Sequence, residues 1–116
     1  MIRRNGQYQI DIRKEMRGGN GEVKIEHLWK PKEEMKSHTR MCARLTLAPG
    51  CSIGFHAHDQ EEEIFYIAQG EAEADDNGSK AVLNAGDTIL TGNGAGHAVK
   101  NIGKNDLVLI AMIGCY

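Results

Sequence analysis

Two histidines separated by a single residue, His56-Ala57-His58, are the side chains of this sequence best placed to do chemistry together. In an extended strand, residues two apart leave the same face about 7 Å apart at Cα, so both imidazoles can converge on one point. Glu63 follows at a spacing that suits a short turn and the next strand, with its carboxylate aimed at that point. His97 lies far along the chain and reaches the group only if a closed barrel gathers distant strands around one lumen. Three neutral imidazoles and one carboxylate suit a borderline divalent ion, Mn²⁺, Fe²⁺, Co²⁺, Ni²⁺, Cu²⁺ or Zn²⁺, whereas Mg²⁺ and Ca²⁺ prefer more oxygen. One such ion per chain is the expected cofactor.

The elements that must carry these residues read as strands. Fourteen glycines against two prolines, most of them from Gly50 onward, break long helices and supply tight turns. Glu22 to Trp29 and Thr39 to Leu47 alternate with the period of half-buried strands. Further strands are expected at Glu63 to Gln69, Glu71 to Asp75, Lys80 to Asn84, Thr88 to Thr91, His97 to Asn101 and Asp106 to Ile113. That spacing suggests a sandwich or barrel. Asp76-Asn77-Gly78 tolerates positive φ and predicts a hairpin, while Pro31 to Ser37 suits one helical turn or a loop. Residues 1–21 are polar, end in a glycine-rich stretch and read as an N-terminal arm, leaving 22–116 as the barrel domain.

A length of 116 residues allows one domain and therefore one site. The formal net charge of −2 gives no electrostatic footprint for nucleic acid or an anionic membrane. The longest apolar run, Leu107 to Ile113, is far short of the roughly 20 residues that cross a bilayer. Cys42, Cys51 and Cys115 are odd in number and lack CxxC spacing, so they read as reduced thiols. With no secretory signal at the N-terminus, the expected compartment is the cytoplasm.

The segment from Gly50 through His56, His58 and Glu63 to Gly70 resembles the first cupin motif, G(X)5HXH(X)4E(X)6G, at every fixed position. The segment from Gly86 through Gly94 and His97 to Asn101 resembles the second, G(X)5PXG(X)2H(X)3N, with Gly92 standing where the pattern has proline. The resemblance implies a small single-domain cupin, an all-β double-stranded β-helix or jelly-roll barrel. It also implies His56, His58, Glu63 and His97 as metal ligands. The substitution at Gly92 adds backbone freedom near the turn that positions His97.

Phe65 shares the face of Glu63, and Val99 that of His97, so both are expected to line the lumen. Arg44 is a candidate for binding a substrate carboxylate there. Asp59, Glu61 and Glu62 read as a solvated turn, and His27 and His38 as ordinary surface or core residues. The function expected first is a metal-dependent enzyme acting on a small oxygen-bearing organic molecule, by dioxygenase, decarboxylase, isomerase or lyase chemistry. The alternative is a non-catalytic module that binds or senses a metal-bound small molecule. A homodimer is expected, because alternation at Tyr8, Ile10 and Ile12 lets the arm pack on a neighbouring sheet and close a barrel edge.

Overall fold

The computed structural model describes residues 1–116. Ten strands, β1 (Gln9–Lys14), β2 (Glu22–His27), β3 (Thr39–Leu47), β4 (Ser52–Ala57), β5 (Glu61–Gln69), β6 (Glu71–Asp76), β7 (Ser79–Asn84), β8 (Thr88–Gly92), β9 (Gly96–Asn101) and β10 (Leu107–Cys115), carry almost all of the regular structure. The one α-helix, α1 (Pro31–Glu34), is a single turn. Six strands form one sheet in the order β1-β2-β3-β10-β5-β8, and four form the other in the order β4-β9-β6-β7. All pairings are antiparallel. This is the jelly-roll barrel. No helix is long and apolar enough to cross a membrane.

Alternation decides which face is buried. Leu107, Leu109, Ala111 and Ile113 on β10, Phe65 and Ile67 on β5, and Ala43, Leu45 and Leu47 on β3 point between the sheets, where Ile53 and Val99 meet them from the opposite side. Asn77 and Gly78 adopt φ of 49° and 99° and close the β6–β7 hairpin. Asn101, the last motif residue, is fully buried. Its amide donates to the carbonyls of Leu47 and Asn105, both at 2.8 Å, and so ties the β9–β10 connection to β3.

The N-terminal segment lies on its own chain. β1 pairs with β2 from Gln9 opposite His27 to Lys14 opposite Glu22. A 3₁₀ turn at Met16–Gly18 then crosses to the outer edge of β4. There Ser52 N–H donates to the Asn20 carbonyl, and Asn20 N–H donates to Ser52 Oγ, each at 2.8 Å. A Cβ at Gly54 would stand 2.1 Å from the Arg17 carbonyl oxygen, so only glycine lets these two backbones lie this close.

Candidate metal centre

Both sheets supply the site. His56 on β4 and His97 on β9 are direct cross-strand partners in the four-stranded sheet. His58 follows the end of β4, where its backbone is clamped by the β8–β9 turn: it donates to the Ala95 carbonyl and accepts from Gly94 N–H. Glu63 projects from β5 in the opposite sheet. The four donor atoms lie within 4.8 Å of one another. His58 Nε2 and His97 Nε2 are each 2.9 Å from Glu63 Oε1, and His56 Nε2 is 3.9 Å from it. His97 Nε2 is 3.1 Å from His58 Nε2 and 3.2 Å from His56 Nε2.

Each imidazole is aimed by a different device. The Nδ1–H of His56 donates to the Gly54 carbonyl at 2.8 Å, and that of His58 to a Glu61 carboxylate oxygen at 2.5 Å. These bonds fix the tautomer that leaves the Nε2 lone pair of both rings facing inward. His97 Nδ1 is buried without a hydrogen-bond partner, and its ring is held by stacking on Phe65, with centroids 4.6 Å apart and planes 7° from parallel. Burial, opposed by the Gly54 hydrogen bond and reinforced by the neighbouring imidazoles and Arg17, holds His56 below the usual imidazole range.

Inward lone pairs and a carboxylate oxygen only about 3 Å apart repel one another unless a cation lies between them. With bonds of about 2.1 Å, adjacent ligands of a divalent ion are spaced by roughly 3 Å, so this donor set fits such an ion. The fit rests on neutral nitrogen donors with one hard oxygen, the combination that suits borderline transition metals.

A cavity of about 80 Å³ opens above His56, His58 and Glu63. Its other walls are Met16, Met41, Leu45, Ile53, Phe65 and Ile113, with Arg13, Arg17 and Arg40. Phe65 therefore lines the cavity, as its parity with Glu63 implies. Val99 and Arg44 do not. Val99 is packed in the core beneath the site. Arg44 lies on the outer face of β3, where it is held by Glu26 at 2.9–3.0 Å and reaches Asn5 and the Tyr8 ring. The alternation that turns Ala43 and Leu45 inward turns Arg44 out, and a buried Glu26 beside it satisfies its charge.

Three parts of the site escape a reading of the sequence alone. Glu61, read as a solvated turn residue, orients His58 and is itself held by Arg40 through bonds of 2.8 and 2.9 Å. Its signal was available, since Glu61 shares the strand parity of Glu63. Arg13 and Arg17 come from the arm, whose crossing to β4 no periodicity announces. His27 pairs with Asp11 at 2.6 Å and stays outside the cavity lining.

A cupin-domain family model matches residues 43–113, well over half of the chain. The chain belongs to the cupin family. Over 113 residues, this cupin is 41% identical to the oxalate-binding protein of Thermotoga maritima, covering 97% of this chain and 93% of that protein. The crystal structure of a predicted oxalate decarboxylase from Thermotoga maritima superposes with a TM-score of 0.92 at 38% identity, over 100% of both chains. The cupin domain of Schizosaccharomyces pombe Cnp3 has a TM-score of 0.73 at 15% identity, covering 93% of this chain and 70% of that one, a likeness of fold alone.

Proposed function

We propose that this cupin holds one divalent transition-metal ion through His56, His58, Glu63 and His97 and there captures a small dicarboxylate, with oxalate the leading candidate. The observation that carries the reading is the make-up of the cavity: four convergent donors at its floor, about 80 Å³ above them, and no carboxylate in its lining other than Glu63. An octahedral ion held by these four residues would keep two positions for a ligand, and a small dicarboxylate could fill them through one oxygen of each carboxylate. The oxalate-binding and predicted oxalate decarboxylase relatives support that ligand class.

The bound ion would supply Lewis acidity and a chelation template. The chain's own residues do the rest. Phe65, Leu45, Ile53 and Ile113 exclude bulk water, and Gly54, Glu61 and Phe65 hold the three rings in register. Decarboxylation of oxalate must deliver a proton to the carbon that loses CO₂. Beyond the four donor residues, the cavity lining offers only guanidiniums, thioethers and hydrocarbon for that task. Capture is therefore favoured over turnover. Titration of the metal-loaded and metal-free protein with oxalate tests this, with formate and CO₂ assayed in parallel. Binding that requires metal, without product above a free-metal blank, is expected; sustained formate release would establish the enzyme instead.

We further propose that residues 22–116 form the barrel unit with 1–21 as its arm, and that the chain pairs as a homodimer through the outer face of the six-stranded sheet. Ile64, Tyr66, Leu90 and Met112 are 42–62% exposed there, and Met112, Ile64 and Leu90 lie side by side across β10, β5 and β8. The unpaired thiols of Cys42, Cys51 and Cys115 suit a reducing cytoplasm.

A further inference from the structure

Charge at the mouth of the cavity is unevenly compensated. Arg40 is neutralised by its paired bonds to Glu61. Arg13 and Arg17, which line the same cavity, form no ion pair with any carboxylate of the chain. Two unpaired guanidiniums beside a site built for a divalent cation repel it and each other. With Glu63 supplying one negative charge at the floor, the assembled site retains an excess of positive charge that a dianion offsets better than a monoanion.

The arm is shaped to keep one of these groups in place. Glu15 and Arg17 both adopt left-handed backbone, with φ of 49° and 55°, on either side of Met16, itself a cavity wall. Non-glycine residues enter that region at a cost, so two of them in three positions mark a turn imposed by its surroundings. What imposes it is the contact with β4 at Gly54, two residues before His56, together with the reciprocal Asn20–Ser52 bonds.

We propose that Arg13 and Arg17 form a guanidinium clamp above the metal that receives the outward oxygens of a chelated dicarboxylate, so that the arm, rather than the barrel, sets ligand specificity. The inference rests on the dicarboxylate reading and names the groups that would enforce it. Oxalate chelating through one oxygen of each carboxylate leaves two oxygens directed away from the ion, and a planar guanidinium fork matches that pair. Glyoxylate, chelating through one carboxylate oxygen and its aldehyde oxygen, leaves only one. The clamp therefore adds to the preference for the dianion that the charge of the metal already gives.

The test is calorimetric titration of the metal-loaded full-length protein with oxalate and with glyoxylate, using wild type, Arg17→Gln, Arg17→Lys and Arg13→Gln, with metal content measured on each sample. Gln suits Arg17 because it adds no backbone demand that Arg does not already meet. Arg13→Gln, on a regular strand, remains informative if the turn variants fold poorly. The expected result is unchanged metal content, oxalate affinity weakened about tenfold to a hundredfold in the Gln variants, and a smaller preference for oxalate over glyoxylate than in the wild type. Arg17→Lys should keep part of the affinity and show a preference between those of the wild type and Arg17→Gln. Wild-type oxalate affinity and preference in both Gln variants overturn the clamp while leaving the dicarboxylate reading intact. Metal-loaded wild type that binds no oxalate overturns that reading, and the clamp falls with it.

Discussion

At the scale of single residues, the site depends on keeping imidazoles neutral and aimed. His56 has a folded-state pKa held down first by burial, whereas in the unfolded chain it takes a proton near the usual imidazole value of about 6.5. The unfolded state then binds more protons as the pH falls below that value, so the His56 contribution to stability is present above it and declines below it. Glu61 behaves differently. Its hydrogen bonds with Arg40, and secondarily His58, hold its carboxyl at about 2, so its contribution is present above about 4.3 and is lost only as pH falls towards 2. The brace on His58 therefore survives conditions that protonate imidazoles. Metal content should fall progressively below about pH 6, before the Arg40–Glu61 pair is lost. Equilibrium dialysis followed by elemental analysis across pH 4 to 8 measures this, and full retention at pH 4 would contradict histidine ligation.

The residues doing this work were unequally visible in the sequence. His56, His58, Glu63 and His97 stood out because alternation and spacing constrain strand residues strongly, and cross-strand pairing of His56 with His97 is what a barrel makes of that spacing. Arg44 misled because a guanidinium has a charge that suits many roles, and its inward placement ignored the parity of its own strand. Arg17 had no signal at all, since its position follows from a turn whose shape is set by contact with β4.

Among the elements, the β8–β9 connection shows how a departure from a motif can be required rather than tolerated. A Cβ at Gly92 would lie 2.7 Å from Glu62 Cβ and 3.0 Å from the Glu61 carbonyl oxygen. The expectation of added backbone freedom is thus secondary: Gly92 faces β5 in register with Glu62, and there is no room for a side chain. Gly92→Ala should cost about 1–3 kcal/mol, and Gly92→Pro, restoring the motif residue, more. For a domain of this size each kcal/mol lowers Tm by roughly 4–8 °C. Thermal unfolding checks this, and an unchanged Tm for Gly92→Pro would show that the two strands separate at no cost. Most strands were legible to within two residues because they alternate cleanly. β4 and β1 were less so. Ser52–Ala57 carries Gly54 and a histidine pair in place of an apolar rhythm, and Gln9–Lys14 is largely exposed on both faces.

For the whole molecule, the barrel is completed at two edges by its own first residues, β1 extending the large sheet and the Met16–Gly18 turn covering β4. The broad exposed surface left over is the outer face carrying Ile64, Tyr66, Leu90 and Met112. Light scattering at micromolar concentration should give twice the 12.8 kDa chain mass, and Leu90→Lys with Tyr66→Lys should shift it to the monomer. A monomeric wild type would remove the dimer from the account. The arm's use in covering its own chain was not legible because an alternating segment pairs equally well with a neighbour or with itself.

Three histidines and one glutamate converge on one point, and metal content is the property they should determine. Elemental analysis of tag-free protein, wild type beside His97→Ala, tests it most directly, because His97 joins the two halves of the motif at one point. About one divalent transition-metal ion per wild-type chain is expected, with a large loss in the variant that stays folded. Wild-type protein that neither carries nor takes up such an ion at neutral pH, or a folded His97→Ala variant that retains a full complement, would contradict it.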